Sequence, residues 1–338
     1  MSISLAIPAS KSLYDTTNCL PRLRLVAASG ALLLGFSAPA LGAPPLPDVT
    51  TNVNTAPPPP AAPPPPYSLP WQLRPVTAAT VVRSDTSLAF YENAKGESGE
   101  TVASMMLGSF KVTPEIAPLV RVGVVQNSEP GDTLGRATAF VNPIIGVTYA
   151  KKLGGPWKGA MFLGSALPIG MGGDKDPAKS DTATAVTRGV QARSGMDNAM
   201  FAVNYFTGIF GLGGAYVANQ LTVQIEATLL QLIRARNETF AKDSARTNLT
   251  SGLHVGYFVA PYLSLGVEYR LQRWLSTPVA VDKNPDLRDA QTVAIGPRFH
   301  FKVGSTWFRP GISYATSIDK PLKDSSYHMV QVDIPAVF

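Results

Sequence analysis

The stretch SYHMVQVDIPAVF, residues 326–338, alternates. Counting back in twos from Phe338 gives Ala336, Ile334, Val332 and Val330, all apolar, while the other register carries Asp333 and Gln331. A period of two with one apolar and one polar face predicts a β-strand. The apolar face needs a medium. It is either a second sheet, as in a soluble sandwich, or the acyl chains of a bilayer.

The pattern recurs upstream. In TNLTSGLHVGYFV (247–259), Leu249, Leu253, Val255, Tyr257 and Val259 oppose Asn248, Thr250, Gly252, His254 and Gly256. In LSLGVEYRLQRWL (263–275), Leu265, Val267 and Tyr269 oppose Ser264, Glu268, Arg270 and Gln272. In TVAIGPRFHFKV (292–303), Ile295, Phe299 and Phe301 oppose Arg298, His300 and Lys302. Twelve strands are expected, near 76–91, 101–112, 117–127, 137–151, 157–171, 202–217, 221–235, 247–259, 263–275, 291–303, 306–317 and 326–338. The segments GAYVANQLTVQIEA (214–227) and GYFVAPYLSLGVEY (256–269) match as one hairpin repeated, the habit of an up-and-down barrel.

Connections alternate in length. TPEIA, KLGGP, ANQ, AP and GST are short; ENAKGESG, NSEPGDTLGR, the stretch 172–199, ARNETFAKDSAR and STPVAVDKNPDLRDA are long and polar. Strands of 11–15 residues suit a tilted membrane crossing. Trp71, Tyr91, Trp157, Tyr262, Trp274, Trp307, Tyr327 and Phe338 fall at strand ends, as interfacial girdles do. Closure would also remove the unpaired edges of so long a sheet. The expected fold is all-β: a transmembrane antiparallel up-and-down β-barrel of about twelve strands, with short periplasmic turns and long extracellular loops.

Composition agrees. Of 338 residues 45% are hydrophobic and 15% charged, yet no internal run is long and apolar enough for a membrane-spanning helix. Arg22 and Arg24 precede LVAASGALLLGF and SAPALGA, which predicts a secretory signal peptide over 1–42, cleaved after Ala40 or Gly42. Cys19 falls inside it, so the mature chain is expected to hold no disulfide and no cysteine metal site. The net charge of +6 becomes +4 once Lys11, Arg22, Arg24 and Asp15 are removed, leaving 26 bases against 22 acids. That weak, dispersed excess argues against nucleic acid. Residues 43–70, with APPPPAAPPPP at 56–66, read as a polyproline II periplasmic linker. A segment threading peptidoglycan, or a plug entering a lumen, is the alternative. The barrel is assigned to 71–338.

The signal peptide, the alternating strands and the closing strand YHMVQVDIPAVF resemble a bacterial outer-membrane β-barrel protein of porin or transporter type, without pointing to one family. The resemblance implies that Val332, Ile334 and Phe338 are the signal read by the barrel assembly machinery. Pro335 departs from that pattern, because proline cannot donate to the ladder; it is expected at a non-bonded position or near the rim.

Projecting the alternation inward gives the candidate lumen-lining, solute-contacting set: Arg83, Asp85, Arg121, Glu226, Glu268, Arg270, Arg298, His300, Lys302, Arg309 and Asp333. Acids and bases among them would pair across strands. Alternatively Arg270, Arg298, Lys302 and Arg309 form a basic ladder giving weak anion selectivity. His254 and His300 lack a third ligand at metal-binding spacing, so no metal is expected. His328 with Ser317 or Ser326 carries no lipase motif, and GLGG (211–214) does not open a helix as a phosphate loop would, so neither catalysis nor a cofactor is expected.

The function expected is that of an outer-membrane channel for passive or facilitated passage of small solutes, anionic or amphipathic ones among them, with residues 172–199 as a constriction or lid. The alternative is a non-conducting structural or adhesion barrel that anchors the outer membrane to the cell wall through the proline-rich arm. The expected partners are outer-membrane lipid, the barrel assembly machinery and a small-molecule solute, with peptidoglycan under the second reading. A monomer with both termini in the periplasm is expected.

Overall fold

Each alternating segment pairs with its neighbour in sequence, and the last pairs with the first. The computed structural model describes residues 67–338, apart from 133–135, 177–178 and 321. The expected signal peptide and most of the proline-rich linker lie outside the described residues.

The wall consists of β1 (Val81–Glu92), β2 (Ser98–Ser109), β3 (Ile116–Ser128), β4 (Ala137–Phe140 and Ile144–Gly154), β5 (Trp157–Ala166) and β6 (Tyr205–Ala218). It continues with β7 (Leu221–Arg234), β8 (Ala245–Ala260), β9 (Leu263–Trp274), β10 (Asp289–Phe299 and Phe301–Val303), β11 (Thr306–Phe308 and Gly311–Ser317) and β12 (His328–Val337). All pairings are antiparallel, and β12 closes on β1 in a register running from Val81 opposite Val337 to Phe90 opposite His328. Phe338 N–H donates to Thr80 O at 3.0 Å, one step beyond that seam. This is the closed twelve-stranded barrel that the alternation predicts.

Alternation sorts the side chains. Val332, Ile334, Val255, Tyr257, Leu265, Val267 and Ile295 are exposed, whereas Gln331, Asp333, His254, Glu268, Arg270 and Arg298 are buried. A continuous apolar exterior would drive association in water and is stable against acyl chains. The aromatic girdle needs correction. Trp157, Tyr262, Trp307 and Phe338 are exposed, but Trp71, Tyr91 and Tyr327 are buried inside the barrel. Strand-end position does not distinguish the two faces.

Pro335 lies near the rim, two residues before the end of β12, but not at a non-bonded position. Arg309 N–H donates to Pro335 O at 3.0 Å, so the pair is one in which residue 335 would ordinarily return a bond to Arg309 O. Arg298 Nη1 supplies that bond instead, at 2.6 Å. A side chain from the wall thereby satisfies a carbonyl that proline leaves open.

Two segments leave the wall and fill the lumen. The first, residues 67–79, precedes β1 and explains why that strand starts at Val81 and not at 76. We call it the strap. The second joins β5 to β6 and holds two helices, α1 (Asp181–Ala192) and α2 (Asn198–Phe201), where only loop is expected. Ser180 caps α1, its side chain accepting from Ala183 N–H at 3.5 Å, and Ala183, Val186 and Gly189 form a buried face. Gly189 lies under the Phe201 ring, where a Cβ would overlap it. The break in β4 turns Asn142 toward this insertion: its Nδ2 donates to Ala202 O at 2.9 Å, and Gly170 N–H donates to its Oδ1 at 2.9 Å.

Candidate functional site: a lumen closed at two levels

A chain segment inside a barrel has no strand beside it, so its backbone groups need side-chain partners. The strap finds them on the wall. Trp71 and Gln72 N–H donate to the two oxygens of Glu268 at 2.7 and 3.0 Å. Arg298 Nε donates to Leu69 O at 3.1 Å, and its Nη2 reaches Pro70 O at 3.3 Å and Asp333 Oδ2 at 2.5 Å. Arg83 pairs with Asp333 at 2.6 Å and donates to the carbonyl of Trp71. Arg74 of the strap pairs with Glu226 and donates to Thr228 Oγ1 at 2.6 Å. Small residues make the trough. A Cβ at Gly256 would overlap the Ser68 side chain, and one at Gly252 would overlap Leu73. Beside the strap, a mostly apolar cavity of 110 Å³ is lined by Leu107, Leu119, Phe162 and Val337 among others.

The insertion is held from the other end. Arg193, fully buried, donates to both oxygens of Asp85 at 2.8 and 2.6 Å and to Ser87 Oγ at 2.7 Å. Its Nε donates to Asp197 at 2.8 Å, and Asp197 also takes both Nη groups of Arg121, at 2.5 and 3.0 Å. Asn198 Nδ2 donates to Asn248 at 3.1 Å. Nearer the mouth Arg188 pairs with Glu129 at 2.9 Å and lies 4.5 Å from the Tyr91 ring centre.

Burial alone would raise the Asp197 pKa, but the Arg121 and Arg193 guanidinium groups outweigh it and hold the carboxyl well below the usual range. The sign follows. A group whose pKa is depressed on docking stabilises the docked state above its free pKa, ~3.9, and loses that contribution only as pH falls toward the docked value. Hydrogen exchange over 181–201 is therefore expected to be equally slow per unit intrinsic rate at pH 8 and pH 5. Faster opening at pH 5 would contradict the assignment.

One side chain touches both obstructions. Gln331 Nε2 donates to Trp71 O at 3.2 Å and to Asp85 Oδ1 at 2.7 Å, while its oxygen accepts from Arg270 at 3.1 Å. Arg270 in turn donates to Glu268 at 2.7 Å and reaches Ser194 Oγ at 3.4 Å. The strap and the insertion thus share one polar network across the barrel.

Of the residues expected in the lumen, Arg83, Asp85, Arg121, Glu226, Glu268, Arg270, Arg298 and Asp333 are brought together here. His300 is buried against Phe258, with Nε2 2.9 Å from Ser264 Oγ. Two residues stand apart. Lys302 is exposed on the short β10–β11 hairpin, and Arg309 reaches Tyr67 O at 3.4 Å near the same end. The four bases therefore do not line up as a free ladder: Arg270 and Arg298 already hold carboxylates. His328 lies on the outer face, stacked on Phe90 with ring centres 5.3 Å apart.

Sequence reasoning missed Trp71, Arg74, Arg193, Asp197 and Gln331. The spacing of Arg193 and Asp197, four residues apart beyond an Ser-Asp helix start, was the available signal. A strap-specific variant follows from the trough: Gly256→Val is expected to expel residues 67–79 and speed their hydrogen exchange while the wall strands stay protected. Unchanged strap protection would show that the close approach is not required.

No family model matches the sequence, and no curated protein matches it either. Among solved structures, an outer-membrane channel from Pseudomonas putida F1 is similar at a TM-score of 0.50 and 12% identity, over 79% of this chain and 98% of the other. The NanC porin follows at 0.44 and 11%, over 75% and 98%, and the KdgM porin at 0.41 and 8%, over 76% and 99%. At such identities the likeness concerns the fold alone, that of a closed β-barrel.

Proposed function

We propose that the protein is a monomeric outer-membrane channel for small solutes, closed in the state described here by the strap and the insertion, with its short turns and the strap in the periplasm. The observation that carries this reading is how the two obstructions are held. Hydrogen bonds and ion pairs from side chains fasten both of them inside the wall, and neither segment is a strand of the sheet. Such contacts break without unzipping the barrel, so an open state is accessible. Among the described residues, six guanidinium groups (Arg74, Arg83, Arg121, Arg193, Arg270, Arg298) face five carboxylates (Asp85, Asp197, Glu226, Glu268, Asp333) in this network, a small excess that favours anions. Val332, Ile334 and Phe338, exposed on the outer face, remain available to the assembly machinery.

Planar-bilayer recording tests the proposal. Arg298→Ala removes donors to Leu69 O, Pro70 O and Asp333 together, and is expected to raise the frequency of opening more than it changes anion preference. The filled lumen also favours the second reading, a non-conducting barrel anchored through its proline-rich arm. Silence of both wild type and Arg298→Ala, together with binding of peptidoglycan by residues 43–70, would establish that reading in place of the channel.

A further inference from the structure

Beside the insertion lies a vestibule of 410 Å³, formed by the ends of β6 and β8, the insertion, and the connections that follow β7 and β9. That size is within the range of small-molecule sites, about 300–1,000 Å³. Four cations line it, Lys175, Lys242, Arg246 and Lys283, against one carboxylate, Asp243. Asp243 Oδ1 accepts from Val279 N–H at 3.1 Å, and the Asp243 charge acts on Arg246 without forming an ion pair with it.

Arg246 is the unusual member. Its guanidinium carbon lies 4.0 Å from the Tyr205 ring centre and 5.2 Å from that of Trp274, so aromatic rings cover the ion. Its Nε is buried without a hydrogen-bond partner, and it forms no ion pair among the described residues. A guanidinium covered on its faces offers only its edge. The edge is a fork of coplanar donors that matches the two oxygens of a carboxylate. Phe201 and Phe240 supply apolar wall in the same cavity.

We propose that this vestibule is a binding site for small organic monocarboxylates with an apolar body, the carboxylate on the Arg246 edge and the body against Phe201 and Phe240. The three lysines raise the local concentration of such anions by long-range attraction. The site would load solute at the mouth before either obstruction moves. Its role in passage rests on the channel reading; binding itself does not.

Calorimetry on the full protein in detergent, with hexanoate, hexanol and inorganic phosphate as probes, tests it. Hexanoate is expected to bind saturably, with hexanol and phosphate each weaker by about tenfold or more, since each lacks one half of the recognition. Arg246→Gln is expected to weaken hexanoate by a similar factor. The triple variant Lys175→Gln/Lys242→Gln/Lys283→Gln covers the case in which Arg246→Gln fails to fold, and it too is expected to bind more weakly. Lys302→Gln, on the distant hairpin, is expected to bind like wild type. Equal binding of hexanol and hexanoate, or full affinity in the triple variant, would overturn the proposal. Hexanoate binding by a protein that never conducts would retain the site and end the channel reading; conduction without hexanoate binding would do the reverse.

Discussion

A chain with residues 172–199 replaced by a short linker and residues 67–79 deleted is expected to conduct several times more than either single deletion, and far more than the sum of their separate gains. Two obstructions along one lumen act as resistances in series. Removing the insertion leaves the strap, clamped by Glu268, Arg83 and Arg298, to limit flow; removing the strap leaves Arg193 and Asp197 in place. Deleting the insertion alone is thus expected to change single-channel conductance only modestly. Thr80 is retained in the deletion because its carbonyl accepts from Phe338 N–H at 3.0 Å at the seam. The double deletion should remain folded, since the wall pairings do not involve either segment. A double variant no more conductive than one of the singles would show that the lumen is narrowed elsewhere.

The second large effect concerns Asp85. Its carboxylate takes two hydrogen bonds from Arg193, at 2.8 and 2.6 Å, and one from Gln331 at 2.7 Å, with Arg121 3.6 Å away. Arg193 and Asp85 are both buried, so solvent does not screen the pair. Asp85→Ala leaves Arg193 with Asp197 as its one carboxylate and with Ser87 Oγ, and stranding one member of a buried pair costs ~3–5 kcal/mol. Because Asp197 remains, the lower end applies: about 3 kcal/mol, or roughly a hundredfold shift toward the undocked insertion. The expected readout is a large rise in open probability and in hydrogen exchange over 181–197. Arg193→Met is expected to act less, because Asp85 keeps Gln331 and Arg121 while a methionine stem still packs. Equal closure of Asp85→Ala and wild type would remove this pair from the gating machinery.

Strand number, seam and inward face were readable because a wall between lipid and a polar interior imposes period two on every strand, from Val81–Glu92 to His328–Val337. What fills the lumen obeys no such rule. Residues 67–76 contain two prolines and no regular period, so YSLPWQLRPV reads as linker, although Trp71 and Leu73 end up almost completely buried. Alternation also reports that Arg270, Glu268 and Asp333 point inward, not what they meet there. Their partners are a glutamine on another strand, backbone N–H groups more than 190 residues away in sequence, and the arginines Arg83 and Arg298. The helix α1 went unread for a different reason: DTATAVTRGVQA carries a helical period, but it lies in a stretch judged by its length and its charges.

The strap's position ahead of β1 has a consequence for how the molecule is born. Its clamps are drawn from β1, β7, β9, β10 and β12, and Gln331 lies 260 residues beyond Trp71 in the chain. The earliest-synthesised part of the described chain must therefore wait for the latest before it can settle. The strap is fully held only in a barrel whose β12 has taken its place beside β1.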